Sequence, residues 1–168
     1  MPDQIAVLFC CMGNICRSTM AEGVFQAMVK KEPYNACVSK VDSCGTISYH
    51  TGDDPDDRTM ATLAAHGITD YSHRARTLQA ADLDRFDYIF AMDRQNLSDI
   101  QRVQQKHPNK KKAQVMLFGA YATPDGDGKE VISDPYYGGR DGFNTAYEQT
   151  TRFSKNFLKA AFPEISPP

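Results

Sequence analysis

An unbroken apolar run, Ile5-Ala6-Val7-Leu8-Phe9-Cys10, leads straight into Cys11-Met12-Gly13-Asn14-Ile15-Cys16-Arg17-Ser18. Such a run without polar alternation suits a strand buried on both faces, as in a parallel sheet. Beyond it, Met20, Val24 and Met28 recur every fourth residue, with Ala21, Phe25 and Val29 beside them. That spacing predicts a helix from Thr19 to Lys31. Ser18 or Thr19 is the expected N-cap, with Glu22 supporting the first turn. The stretch from Cys11 to Ser18 is then a loop joining the C-terminal end of a strand to a helix N-terminus.

The first amides of a helix lack intrahelical acceptors, and the helix dipole adds partial positive charge there. This makes the loop an anion site before any side chain is considered. Gly13 permits a tight turn with inward-facing amides. Arg17 offers a planar fork of donors matched to a tetrahedral oxyanion. Cys11 opens the loop, so its sulfur is expected at the floor of the cradle. Helix N-termini and cations lower a thiol pKa from about 8.5 to roughly 3.5–7.5. The pattern predicts Cys11 as a thiolate nucleophile under a bound phosphate, clamped by Arg17. Met12, Gly13, Asn14, Ile15, Cys16 and Ser18 complete the expected phosphate loop. Cys10 reads as a buried strand thiol.

Pro33 and Asn35 mark a turn, and Ala36 to Ser43 reads as a strand. Cys44 to Asp57 is a long loop rich in Gly, Ser, Thr and Asp, a length often functional. Asp56 or Asp57 is expected to cap a helix through Met60, Leu63 and Ala64, ended by His66-Gly67. A short helical turn follows at Leu78–Asp84, a buried strand at Phe86–Met92, and a helix from Arg94 to Gln105. Gln114 to Phe118 is the fourth strand. After the long loop Gly119–Asp141 comes a final helix, Gly142–Ala161, with Phe143, Tyr147, Phe153, Phe157 and Leu158 on its buried face. Strands alternating with helices imply an α/β fold, a parallel sheet covered on both faces with right-handed crossovers. Ligands in such sheets bind beyond the strands' C-terminal ends, where the Cys11 loop stands. A chain of 168 residues, 41% hydrophobic, suits one domain spanning residues 1–168.

The net charge of −2 gives no support for a general nucleic-acid or membrane-surface role. Met1-Pro2-Asp3-Gln4 shows no basic region or apolar run, so no signal peptide is expected, nor any membrane span or lipid anchor. The five cysteines, Cys10, Cys11, Cys16, Cys37 and Cys44, are odd in number and all N-terminal, unlike a disulfide scaffold. A reducing cytoplasm is the expected compartment. No second cysteine pair stands at zinc-ligand spacing. The acidic run Asp53–Asp57 reads as a solvated loop with a helix cap, and Asp125-Gly126-Asp127-Gly128 lacks the acids of a calcium loop. Lys110-Lys111-Lys112 reads as a solvated face, and His50, His66, His73 and His107 form no metal pair by spacing.

Asp134 precedes Pro135, which biases it away from helical geometry and suits an exposed loop acid. Tyr136, Tyr137 and Tyr49 can wall a slot for an aromatic ring, with His50 beside them. A deep slot favours phosphotyrosine over phosphoserine, since only the longer side chain reaches the sulfur.

The loop with Ser after its Arg, together with Asp134-Pro135-Tyr136-Tyr137-Gly138-Gly139, resembles the low-molecular-weight protein tyrosine phosphatases. Asp42-Ser43 through Tyr49, Ser72-His73, and Met92-Asp93 with Asn96 extend the likeness over nearly the whole chain. Met12 stands where the family usually has Leu, and Thr19 where Pro is usual; the linker Tyr121–Lys129 looks lengthened. The resemblance implies a four-stranded sheet in the order 2-1-3-4. It also implies hydrolysis of phosphotyrosine or aryl phosphates through phosphocysteine. In that scheme Cys11 attacks, Arg17 and the loop amides hold the equatorial oxygens, and Asp134 is general acid, then base. Ser18 donates to the Cys11 sulfur, Asn14 pairs with Ser43, Ser18 pairs with His73, and Asp93 braces Arg17. No cofactor or metal is implied; phosphate and vanadate are the expected inhibitors. Cys11 and Cys16 in one loop suggest reversible oxidation. An arsenate reductase of this architecture needs resolving cysteines downstream, and none follows Cys44; a binding module without catalysis would lack Cys11, Arg17 or Asp134.

Overall fold

The structure is a computed structural model that describes residues 4–165, with the side chains of Tyr137 and Arg140 outside that description. Met1-Pro2-Asp3, read above for targeting signals, also lies outside it. Four parallel strands form one sheet in the order β2-β1-β3-β4, where β1 is Ile5–Cys11, β2 Val38–Gly45, β3 Tyr88–Ala91 and β4 Gln114–Leu117. The helices are α1 (Arg17–Val29), α2 (Asp57–Ala65), α3 (Asp82–Arg85), α4 (Arg94–Lys106) and α5 (Arg140–Ala161).

The unbroken apolar run of β1 has a simple cause: both faces are covered. Val7, Phe9 and Cys11 join the core under α1 and α5, while Ala6, Leu8 and Cys10 join the core on the other face with Leu83, Phe86 and Ile100. Phe9 packs edge-on against Phe25 at 5.4 Å and against Phe118 at 5.0 Å between ring centroids. Burying a side chain of this size contributes about 1.5–3 kcal/mol. A third core lies between α1 and α2, around Met20, Val24, Leu63 and Phe143.

Several boundaries differ from expectation. β2 runs to Gly45 rather than Ser43 because its register follows β1 to the end, pairing Cys11 with Gly45. The helix expected from Thr19 begins at Arg17, with Cys16 at the N-cap and no side-chain cap. Ser18 is not the cap because its hydroxyl is engaged with Cys11, and Thr19 Oγ1 instead donates back to the Ile15 and Cys16 carbonyls at 2.8 and 3.0 Å. The segment after β4 is not structureless. It holds 3₁₀ turns at Phe118–Ala122 and Pro135–Tyr137, and backbone bonds from Gly128 to Ala120 and from Glu130 to Gly119 fold the linker back on itself. Asp56 caps α2 by accepting from the Arg58 N–H at 2.9 Å, and Gly67 ends it at φ +83.

Candidate active site

The residues expected to form the phosphate loop, Cys11 to Ser18, sit where β1 leaves the sheet. Their carbonyls are occupied from outside the loop: Thr46 N–H donates to Cys11 and Met12, Ile47 N–H to Met12, and Asp56 N–H to Ile15. Gly45 must be glycine here, since a Cβ would come within 2.7 Å of the Met12 carbonyl oxygen. Asn14 adopts φ +59, a left-handed conformation that Asn tolerates better than most residues.

Cys11 Sγ receives the Asn14 backbone N–H at 3.3 Å and lies 3.0 Å from Ser18 Oγ. Asn14 Nδ2 donates to that Ser18 oxygen at 2.8 Å, which leaves the Ser18 hydroxyl proton for the sulfur. Asn14 Nδ2 also donates to Ser43 Oγ at 2.9 Å, and Ser43 Oγ donates to Glu22 Oε1 at 2.6 Å. The Tyr71 hydroxyl donates to the same Glu22 oxygen at 2.6 Å. The expected Ser18–His73 pair is not formed. His73 Nε2 instead lies 2.8 Å from Asn14 Oδ1 and 3.3 Å from Ser43 Oγ, because Ser18 is already taken by the sulfur and by Asn14.

Arg17 is buried, yet its guanidinium borders the cavity. Nη1 donates to Asp93 Oδ2 at 2.6 Å and to the Ile132 carbonyl at 2.9 Å, while Nη2 stands 3.8 Å from Asp134 Oδ2. Burial works against the Arg17 charge, but Cys11, Asp93 and Asp134 outweigh it and push its pKa up. Burial also pushes the Cys16 thiol up, with Asp56, Cys11 and Asp134 adding to the effect. Asp134 sits at the N-cap of the Pro135–Tyr137 turn, accepting from Tyr136 N–H at 3.0 Å.

These groups face a cavity of about 440 Å³ lined by Cys11, Arg17, Asp134, Tyr49, His50 and Tyr136, among others. Met12, Ile47, Tyr49 and Tyr136 remain exposed although apolar or aromatic, and all four are at its walls. His50 lies edge-on to Tyr49 at 4.7 Å, bonds Asp53 through Nδ1 at 3.0 Å, and packs against Gly13, where a Cβ would meet its ring at 3.0 Å. Tyr137 was expected in this wall, but its side chain is outside the described atoms.

For metals, Glu22, Asp42 and His73 bring ligand atoms within 4.8 Å of one another among the described residues. Those carboxylates already accept from Ser43 and Tyr71, and from Arg76 at 3.1 Å, so the trio forms a hydrogen-bonded support beneath the loop. Sequence reading missed Tyr71, Arg58 and Arg76; none stands in a local pattern, and each is recruited across the chain.

A parallel α/β sheet with a Cys-x5-Arg loop at the end of its first strand defines a class, the small phosphatases that work through such a loop. The chain belongs to the low molecular weight phosphotyrosine protein phosphatase family, whose model matches residues 6–164. It is 51% identical over 160 residues to the Schizosaccharomyces pombe low molecular weight phosphotyrosine protein phosphatase, covering 95% of this chain and 99% of that one. Against the Homo sapiens protein of the same name identity is 40% over 156 residues, with coverage of 93% and 95%. A Drosophila arginine phosphatase, DARP, superposes with a TM-score of 0.82 at 34% identity, covering 92% of this chain and 96% of its own. The protein is thus a protein tyrosine phosphatase of this family.

Proposed function

We propose that this chain acts as one phosphatase domain that cleaves phosphotyrosine and aryl phosphate monoesters through phosphocysteine, with no metal. Cys11 attacks phosphorus in line and displaces the phenolate, forming the S–P bond as the P–O bond breaks. Arg17 and the loop amides of residues 12–18 stabilise the equatorial oxygens. Asp134 protonates the leaving oxygen, then takes a proton from the water that attacks phosphocysteine. Ser18 stabilises the departing sulfur. The observation that carries this reading is the placement of Cys11, Arg17 and Asp134, from three separate elements, on one cavity.

Tyr49, His50, Tyr136 and Tyr137 form the slot for the substrate ring in this reading, and depth selects phosphotyrosine over phosphoserine. Ser43, His73 and Asp93 are supporting residues. Inorganic phosphate and vanadate are inhibitors because they occupy the same cradle. No helix among the described residues is long and apolar enough to cross a membrane. A reducing cytoplasm is the compartment in this reading, from the odd number and N-terminal grouping of the cysteines. Nucleic acid and membrane surfaces are not partners in this reading.

The test is hydrolysis of p-nitrophenyl phosphate with and without EDTA, alongside phosphotyrosine, phosphoserine and phosphoarginine peptides. Expected are EDTA-resistant turnover and preference for phosphotyrosine. Near wild-type turnover in Cys11→Ser would remove the nucleophile assignment, and ordinary turnover in Arg17→Lys would remove the clamp, since Lys lacks the planar fork. Preference for phosphoarginine would reassign the substrate.

A further inference from the structure

Arg58 stands on the surface in the first turn of α2 and touches two parts of the site at once. Its Nε and Nη2 donate to the two oxygens of Asp56, each at 3.0 Å, and Nη2 also donates to the Tyr136 carbonyl at 3.2 Å. The guanidinium lies 4.6 Å from the Phe143 ring centroid and 5.5 Å from that of Tyr136.

The two ends of this contact belong to different halves of the chemistry. On one side, the Asp56 N–H donates to the Ile15 carbonyl at 2.8 Å, and Thr59 Oγ1 donates to the Cys16 carbonyl at 3.2 Å. The start of α2 is therefore fastened to the phosphate loop. On the other side, the Tyr136 N–H is the donor that holds Asp134 Oδ1. Gripping the Tyr136 carbonyl restrains the same short turn that carries the carboxyl. Within the same turn the Gly138 N–H donates to the Pro135 carbonyl at 3.0 Å.

An exposed Arg–carboxylate pair contributes little stability by itself. Its use here is geometric. A planar fork can satisfy Asp56 with one edge and still present a donor and a flat face to Tyr136. Lys, with a single nitrogen, offers no such edge.

We infer that Arg58 is a positioning residue for Asp134, holding the Pro135–Tyr137 turn at a fixed distance from the phosphate loop so that the carboxyl meets the leaving-group oxygen. This rests on the reading of Asp134 as general acid. The step itself is unchanged: the proton passes from the Asp134 carboxyl to the leaving oxygen as the P–O bond breaks. Arg58 moves no proton.

The experiment follows phosphocysteine formation in single turnover for wild type, Arg58→Ala, Arg58→Lys, Asp134→Ala and the Arg58→Ala/Asp134→Ala double variant. The substrates are aryl phosphates of graded leaving-group pKa, including phosphotyrosine. Melting temperature and inhibition by inorganic phosphate are measured on each protein. In Arg58→Ala, formation from phosphotyrosine is expected to fall about ten- to hundredfold, the scale on which small misplacements act. Formation from substrates with good leaving groups changes little, and phosphate inhibition is unchanged. Arg58→Lys recovers part of the loss. In the Asp134→Ala background, Arg58→Ala adds nothing further, because both substitutions remove the same proton delivery.

Wild-type leaving-group dependence in Arg58→Ala, or effects that multiply in the double variant, would overturn the inference. So would a parallel loss of phosphate inhibition, which would mark Arg58 as a support of the loop alone. Failure of the acid reading looks different: Asp134→Ala itself would then keep the wild-type dependence, and the role of Arg58 would fall with it.

Discussion

Arg17 Nη1 donates to Asp93 Oδ2 at 2.6 Å, so the guanidinium at the Cys11 cavity is held by the N-cap residue of another helix, α4. The other Asp93 oxygen accepts from the Asn96 N–H at 2.7 Å. One carboxylate thus serves a helix end and the cavity together.

The two duties separate by substitution. Asn caps a helix about as well as Asp, whereas Ala at an N-cap costs about 0.5–2 kcal/mol. Asp93→Ala should therefore lower the melting temperature clearly, and Asp93→Asn only slightly. Both remove the charge that fixes Arg17, and kcat/KM for phosphotyrosine is expected to fall about ten- to hundredfold in each. Steady-state kinetics and thermal unfolding on the same preparations check this. Full activity in Asp93→Asn would mean that Arg17 is held well enough by the Ile132 carbonyl.

Asn14 carries both a strained backbone and a crowded side chain. At φ +59 a non-glycine residue with a Cβ is disfavoured by roughly 1–2 kcal/mol, Asn less than others. Its amide bonds Ser18, Ser43, His73 and the Arg76 N–H. Asn14→Gly relieves the backbone but loses the bonds; Asn14→Ala loses the bonds and keeps the strain. The expected order of melting temperature is wild type, Asn14→Gly, Asn14→Ala, with activity strongly reduced in both variants. Asn14→Ala as stable as Asn14→Gly would show that the left-handed turn relaxes when the side chain is gone.

Glu22 gives the pH dependence of stability a definite sign. Burial pushes its carboxyl from 4.5 up to about 7, against the hydrogen bonds from Ser43 and Tyr71 that hold it down. The folded state therefore keeps a proton that the unfolded chain has already released. The stability tied to that proton is full below about 4.5 and is lost as pH rises through about 7. The loss is expected to be at most roughly 3–4 kcal/mol. Glu22→Gln, neutral at every pH, should flatten this part of the profile in urea unfolding from pH 4 to 8, the range of roughly half a unit to a unit beyond the two values. An unchanged slope in the variant would show that another group produces it.

A protective disulfide between Cys11 and Cys16 would have its rate set by the Cys16 thiol. Peroxide converts the Cys11 thiol to sulfenic acid with loss of water, and the Cys16 thiolate then displaces hydroxide from that sulfur to close a disulfide. Because burial holds the proton on Cys16, closure should be slow at neutral pH and faster as pH rises. Trapping of sulfenic acid by dimedone is expected to be high at neutral pH and to decline at alkaline pH in wild type. In Cys16→Ser the trapping should lose this dependence, and recovery of activity with thiol should be poorer. Equal recovery in both proteins would argue against a protective disulfide.

Much of this site is legible in local sequence. The apolar run of β1, the Cys11–Arg17 spacing, the Asp56 cap and the Gly67 stop each depend on neighbours a few residues away, and side-chain periodicity reports such relations directly. The sheet order and the roles of Asn14, Ser43 and Asp93 came from the likeness of separated motifs to a known family. Local pattern did less well at α1, where it named Ser18 or Thr19 as cap although the sulfur of Cys11 competes for Ser18.

By itself, then, the sequence determined that a strand ends in a cysteine loop at a helix N-terminus, because backbone period and turn chemistry are short-range. Only the tertiary structure decided which distant side chains close around that loop. Tyr71 reaches Glu22 across 49 residues, His73 reaches Asn14 across 59, and Arg58 reaches the Tyr136 carbonyl across 78. Such bonds depend on where each crossover returns to the sheet, and on which buried polar groups still lack a partner when the cores have packed. That competition, rather than any spacing along the chain, gave Ser18 to the sulfur and His73 to Asn14.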